Sequence, residues 1–484
     1  MKLRYDFYLF LNKLYSSSRK FIQEFYFIFM LQHLQNLKVM DLSYSPNLVE
    51  CPDLSSAVSL KTLNLDGCTS LRELPHSIGR LKNLKTLNLA HCETLDCFPT
   101  IMGLESLEVL NLSGCSRLKK FPETQAHMRC LLKLNLEANA IVELPSSVEY
   151  FRSLDVLNMR NCKNLEILPG RLCALKSLKT LILSGCSKLE RFPEIPEVME
   201  HLQTLLLDGT SIRELSSSIV NLIDLQLLNL RKCKKLRSLP NSICDLKSLG
   251  TLIVSGCSKL NKLPEDLGRL QCLRNLQADG TAITQPPISL VLLTNLEKLS
   301  FSGCKVSKSN NWISSLISRL LHTEKSDAIG LRLPSLSGLC FLKSLYLSDC
   351  NLVEGAIDNK LCHLDSLEVL DLSRNNFVSI PADISGLPNL TKILVRECKR
   401  LEKLPKLPPS IKLLDACGCT SLKSLSTTSP IRPLKSTWHR PVKFILWNCS
   451  GVAHYYLAMA LDKFHEVFLS LSLSLDVFVF GIII

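Results

Sequence analysis

Apolar positions return along this chain at a fixed spacing. The phrase Leu-x-x-Leu-x-Leu-x-x-Cys, as in Leu60-Lys-Thr-Leu63-Asn-Leu65-Asp-Gly-Cys68, recurs from near residue 34 to residue 419. Its last position is held by Ser45, Cys68, Cys92, Cys115, Asn139, Cys162, Cys186, Thr210, Cys233, Cys257, Thr281, Cys304, Cys350, Asn375, Cys398 and Cys419. Steps between neighbours are 23 or 24 residues, apart from one of 46 after Cys304 and slightly irregular ones near the end. Alternation around Leu63 and Leu65 predicts a strand whose leucines face inward, with Thr62, Asn64 and Asp66 on the other face. Leu71, Leu74, Ile78 and Leu81 follow at wider spacing, as in a helical or 3-10 return segment. Pro75 suits the start of that segment, because it lacks an N–H and fixes φ.

A period in the twenties with this consensus predicts an α/β fold, the leucine-rich repeat solenoid. That is a curved horseshoe with a parallel sheet on its concave face and short helices, 3-10 turns and loops on its convex face. About six buried apolar side chains yield roughly 9–18 kcal/mol per repeat, whereas ordering some 23 backbones costs roughly 1–2 kcal/mol each. A lone repeat loses that contest, so the units must stack. The expected organisation is an aromatic, non-repeat segment 1–33, about 16 rungs over 34–426 with an island at 305–340, and a post-repeat segment 427–484. Trp312, Leu316 and Leu320 in the island are four apart, the spacing of a short amphipathic helix or the remnant of a repeat. Val467–Ile484 is apolar but diluted by serines and Asp476, which disfavours a membrane span.

A second period of 71 residues overlies the first. It returns Ser-Gly-Cys-Ser at 113, 184 and 255, and acids at Asp66, Glu137, Asp208 and Asp279. Block duplication explains it. The net charge is +13, with many cations such as Lys119, Lys163, Lys188, Lys234 and Lys259 following the ladder position. In stacked rungs these form a solvated lateral rim or a docking stripe for an acidic protein. Nucleic acid is not expected, since no known binding module accompanies the charge and aromatics make up only 6% of the chain.

Cysteine shares the ladder position with Asn and Thr, which like it are small and carry a donor. The expected task is bonding buried carbonyls where the strand turns away. Stacked thiols that stay reduced imply a reducing compartment. No phosphate loop, zinc-protease or nucleophile-elbow motif occurs, so no enzyme, cofactor or metal site is expected. Cys417-Gly-Cys419 lacks the further ligands that zinc requires. Binding chemistry is expected on the exposed strand face. Its middle column is largely asparagine, either a hydrogen-bonding ladder or an echo of duplication, with the echo favoured, but Ile182, Leu206 and Ile253 interrupt it. With Arg160, Asp208, Arg231 and Lys232 around them, these residues have the anatomy of a protein interface: an apolar centre and a charged rim.

The phrases LNLSGCSRLKKFPE, LILSGCSKLERFPE, LNLRKCKKLRSLP and LEVLDLSRNNFVSIP resemble the repeats of plant intracellular immune receptors. These are the nucleotide-binding disease resistance proteins with a Toll/interleukin-receptor-type domain. HLQNLKVMDLSYSPNLVECPDLS resembles early repeats of that family, LPKLPPSIKLLDACGCTSLKSL its last ones, and RPVKFILWNC the start of the domain that follows. The resemblance spans about residues 31–450. It implies a cytoplasmic or nucleocytoplasmic module of defence signalling. Such a module recognises a pathogen effector or a guarded host protein and restrains the receptor's nucleotide-binding domain. Neither a Toll-like nor a nucleotide-binding domain is present in these residues, so their enzymatic activity and nucleotide binding are not carried over. An intracellular scaffold resembling the Ras-group leucine-rich-repeat proteins is the alternative; Ser-Gly-Cys-Ser and Pro-Pro-Ser-Ile favour the immune family.

Overall fold

A computed structural model describes residues 2–4, 34–51, 53–98, 104–123, 128–305, 331–354, 356–357, 359–380, 384–425, 443–449 and 481–483. Trp312, Leu316, Leu320 and most of both terminal segments lie outside them. The chain forms two units, Met1–Lys234 and Lys235–Ile484.

The first unit is a parallel ladder of three-residue strands. They are β1 (Lys2–Arg4), β2 (Val39–Asp41), β3 (Thr62–Asn64), β4 (Thr86–Asn88), β5 (Val109–Asn111), β6 (Lys133–Asn135), β7 (Val156–Asn158), β8 (Thr180–Ile182), β9 (Thr204–Leu206) and β10 (Leu227–Asn229). Each pairs with the next in strict register, so Leu63 lies opposite Leu87, Leu181 opposite Leu205 and Leu205 opposite Leu228. The central residue of each strand from β2 to β10 is buried, and its neighbours are partly or fully exposed. β1 pairs with β2, so a strand from the aromatic segment covers what would be an open edge.

The second unit repeats the design. Its strands are β11 (Thr251–Ile253), β12 (Asn275–Gln277), β13 (Lys298–Ser300), β14 (Ser344–Tyr346), β15 (Val369–Asp371), β16 (Lys392–Leu394), β17 (Lys403–Leu404), β18 (Leu413–Asp415), β19 (Ser424–Leu425), β20 (Lys443–Ile445) and β21 (Gly481–Ile483). β11 to β16, then β18 and β20, run parallel; β21 joins β20 antiparallel, and β17 pairs with β19 apart from the main ladder. β13 pairs directly with β14 across the 46-residue step, Leu299 opposite Leu345. The island therefore interrupts the sequence and not the sheet.

Return segments are 3-10 turns: His76–Arg80, Ser146–Tyr150 and Gly170–Ala174 each follow a proline in extended conformation. At Ser217–Asn221 the proline is replaced by Ser216, whose hydroxyl accepts from the Ser218 N–H. One starting device, a fixed φ, is exchanged for another, a side-chain cap.

The ladder residues are buried and bonded as their chemistry demands. Cys68 donates to the Leu42 carbonyl at 3.2 Å, Cys162 to Leu136 at 3.0 Å, Cys304 to Ala278 at 3.0 Å and Cys419 to Val395 at 2.9 Å. The rule is a thiol reaching back one rung to the carbonyl just past the strand, where it takes the second lone pair if a donor of that rung's own turn holds the first, as Asn139 does at Leu136 and Thr281 at Ala278. Asn139 and Asn375 donate to such a carbonyl and to one in their own rung. None of the 21 cysteines is in a disulfide. Burial pushes the thiols of Cys115, Cys186 and Cys350 up to about 12, so they stay protonated donors at neutral pH. The ladder also runs past the expected limit at 426: β20 adds a rung, and Cys449 donates to the Ala416 carbonyl at 3.1 Å.

The residue before each ladder position has positive φ: Gly185 (78°) and Gly209 (72°), but also Asn161 (58°) and Lys232 (59°). Gly185 has a second constraint, since a Cβ there would meet the Asn161 side-chain oxygen at 2.3 Å. This turn swings the chain out of the strand at every rung.

Candidate strand-face interface

The middle column of the strand face is chemically occupied. Asn64, Asn88, Asn111, Asn135, Asn158 and Asn229 each accept, through Oδ1, the backbone N–H two residues on, at 3.0–3.2 Å. Asp41, Asp371 and Asp415 do the same. This local bond holds the turn that follows the strand. The asparagine run therefore has a hydrogen-bonding role, the reading that the sequence alone did not favour. In the first rungs it is also a side-chain ladder: Asn64 donates to Asp41 at 3.0 Å and Asn88 to Asn64 at 2.9 Å.

The acids of the 71-residue series brace neighbouring rungs. Glu137 accepts from Asn158 at 3.2 Å. Asp208 accepts from Ser184 at 2.6 Å and Asn229 at 3.1 Å. Asp279 accepts from Ser255 at 3.0 Å, from the Ser302 N–H at 3.0 Å, and from Ser300. Asp208 is thus tied to its own sheet more than it is available to a ligand.

Ile182 and Leu206 lie directly opposite each other on β8 and β9, between Asn158 on β7 and Asn229 on β10. Both are half-buried, and neither can make the turn-holding bond. Arg160 and Arg231 are exposed beyond the ends of β7 and β10, each one rung from the nearer member of this pair. Among the described residues no hydrogen bond or ion pair engages either guanidinium; both residues are bonded through their backbone groups alone. Lys232 is exposed at the positive-φ turn next to Arg231. Ile253 is half-buried on β11 in the second unit, beside Gln277. The rungs of β7 to β10 in the first unit carry Arg160, Ile182, Leu206, Asp208, Arg231 and Lys232.

The lateral cations are exposed. Some are paired along the rim, Lys188 with Glu166 at 3.0 Å and Arg213 with Glu190 at 2.8 Å, while Lys119, Lys163 and Lys259 are not paired among the described residues. Cys417 and Cys419 differ in environment. Cys419 is buried in the ladder, whereas Cys417 is half-exposed and its thiol is pushed up by burial and by the nearby Asp415 carboxylate. Among the described residues no group of three or more His, Cys, Asp or Glu is placed to hold a metal ion, and no helix is long and apolar enough to cross a membrane.

One feature of the strand face was not anticipated. Gln277, Asp279, Lys298, Ser300, Ser302 and Tyr346 line a shallow concavity of about 230 Å³ on β12 to β14. Lys298 and Tyr346 belong to adjacent strands yet are separated in sequence by the island. Only carrying the register across it, Lys298 opposite Ser344, places them together.

Residues 103–189 and 174–265 match the family model described as "Disease resistance protein RPS4B-like, leucine-rich repeats", and residues 366–387 match a general leucine-rich repeat model. These stretches are similar to the leucine-rich repeats of plant disease-resistance proteins. TMV resistance protein N of Nicotiana glutinosa is 35% identical over 143 residues, which is 29% of this chain and 11% of that protein. Disease resistance protein RPS4 of Arabidopsis thaliana is 36% identical over 181 residues, 37% of this chain and 14% of that protein. The chain thus spans a small part of the length of these relatives. The fold is shared with a Leptospira interrogans leucine-rich repeat protein, at 24% identity and a TM-score of 0.52, covering 79% of this chain and 92% of that one. Every member of the candidate patch except Ile253 lies in the first unit, and all seven lie inside the stretch matched by the disease-resistance model.

Proposed function

We propose that this chain is a non-catalytic protein-binding module in plant defence, recognising a pathogen effector or a guarded host protein and restraining the nucleotide-binding domain of a receptor. The setting is the cytoplasm or the nucleocytoplasm. One observation carries the reading: Ile182 and Leu206 form an aliphatic pair in a column that, on the other rungs from β2 to β10, holds self-bonded polar groups, flanked by the unengaged Arg160 and Arg231. An apolar centre that a partner can dehydrate, with charges around it to set orientation, is what a specific interface needs.

The test is co-precipitation from leaf tissue of the tagged chain with nucleotide-binding domains of Toll/interleukin-receptor-type resistance proteins and with a panel of pathogen effectors. Leu206→Asp and Arg231→Glu should each abolish capture of a partner that the unmodified chain retains, with protease resistance unchanged. Equal capture by both variants overturns the patch. Capture of none of these proteins by the unmodified chain overturns the recognition role.

A further inference from the structure

We infer a second, separate recognition site in the concavity of β12 to β14, specific for an acidic side chain of a polypeptide partner. It rests on the protein-binding reading of the module but not on the Ile182–Leu206 patch.

The argument is one of unused donors. Asp279 is nearly saturated: two serine hydroxyls and the Ser302 N–H already occupy three of the roughly four lone-pair sites of its carboxylate. Those serines are themselves largely buried, Ser255 at 7% and Ser300 at 4% exposure, so they have little left to offer a ligand. Lys298 is the opposite case. Its ammonium lies 5.4 Å from the centroid of the Tyr346 ring, and among the described residues that ring is its sole charged or polar partner. The neighbouring cations are different: Lys343 is bonded to Glu297 at 2.8 Å, and Arg274 reaches the same carboxylate. Lys298 is therefore a half-buried cation held in place by an aromatic face, with three N–H donors turned to an open concavity. The ring lowers the entropy cost of fixing the lysine and leaves its charge intact. A carboxylate from a partner meets that charge and can also accept from the Tyr346 hydroxyl, while its methylene stem covers the ring edge. A cationic ligand would face the Lys298 charge and find Asp279 already bonded.

The site is tested with the full chain and blocked tetraglutamate and tetraglutamine peptides by isothermal titration, with a tetraglutamine peptide bearing a free C-terminus as a third arm. Tetraglutamate binds. Lys298→Met weakens it about tenfold, the scale of a lost charge-assisted bond. Lys298→Arg keeps most of the affinity, and Lys262→Met, at an exposed rim lysine, leaves it unchanged. Asp279→Asn tightens it by removing a like charge. Leu206→Asp has no effect, which separates this site from the patch. The inference is overturned if Lys298→Met changes binding no more than Lys262→Met, or if blocked tetraglutamine binds as well as tetraglutamate. It is also overturned if the free C-terminus alone confers binding, or if Asp279→Asn weakens binding.

Discussion

Asn375 is the ladder residue with the most to lose. It is 1% exposed, donates to the Leu347 and Leu372 carbonyls at 2.8 Å each, and accepts the N–H groups of Cys350 at 3.1 Å and Leu352 at 3.0 Å. Asn375→Ala removes a bond from each of these four groups and from the Ser373 carbonyl, though the Leu372 carbonyl keeps the Cys398 thiol. The carbonyls retain a second lone pair, so the two buried N–H groups dominate. Each costs about 1–3 kcal/mol when left unpaired, and partial relaxation brings the expected loss to about 3 kcal/mol. A solenoid unfolds by neighbouring rungs, so a melting midpoint registers a loss without placing it, and a local readout is needed. Hydrogen exchange by mass spectrometry is the right one. Peptides containing Cys350 and Leu352 should lose about a hundredfold in protection, the equivalent of ~3 kcal/mol. Peptides around Cys115 should not change. Asn375→Cys restores a donor but no acceptor, so it should rescue less than half of the loss. Unchanged protection at Leu352 in the alanine variant would refute the account, as would an equal loss in both units.

Two further outcomes follow from the same geometry. Lys232 sits at φ 59°, where a side chain is strained, so Lys232→Gly should stabilise the first unit by about 0.5–1 kcal/mol after the entropy cost of glycine; no rise in its thermal midpoint contradicts this. The ladder thiols at about 12 against 9.0 for an ordinary thiol give a pH dependence with a definite sign. Below pH ~9 their contribution is fully present. Above it the unfolded chain releases protons that the folded chain keeps, so stability falls by about 1.4 kcal/mol per pH unit per thiol as pH rises towards the folded value. The urea midpoint should drop between pH 8 and 10, and drop less when Cys115 and Cys186 are both replaced by Thr, the residue of the 210 and 281 rungs; a flat profile, or an equal drop, counts against it.

Most of the fold was legible because a single period dictated it. Leu63, Pro75 and Cys68 each stand at a fixed phase of that period, and each has a physical reason to stand there. What escaped notice shares one cause. Periodicity shows that a residue recurs, not which bond makes it recur. The asparagine column recurs because each amide holds its own turn two residues on, and duplication would leave the same trace. The positive-φ column was hidden by its variety, since glycine, Asn161 and Lys232 share a backbone state and no side-chain property. Lys298 and Tyr346 were separated by the island, and only the sheet register reunites them.

The placement of the two candidate sites then follows from hydrogen-bond accounting on the strand face. Along most rungs the middle residue bonds its own turn, and the acids bond the next rung, so the exposed surface is polar but already satisfied. Such a surface gains little from a partner, because each new bond must displace an existing one or a well-bound water. Binding capacity survives where that pattern is broken. It breaks at Ile182 and Leu206, which have no polar group to satisfy and are ready to be dehydrated. It breaks again at Lys298, whose charge the sheet leaves unanswered while Asp279 beside it is fully engaged. The same hydrogen bonds that keep the rungs in register thus confine recognition to the few rungs that do without them.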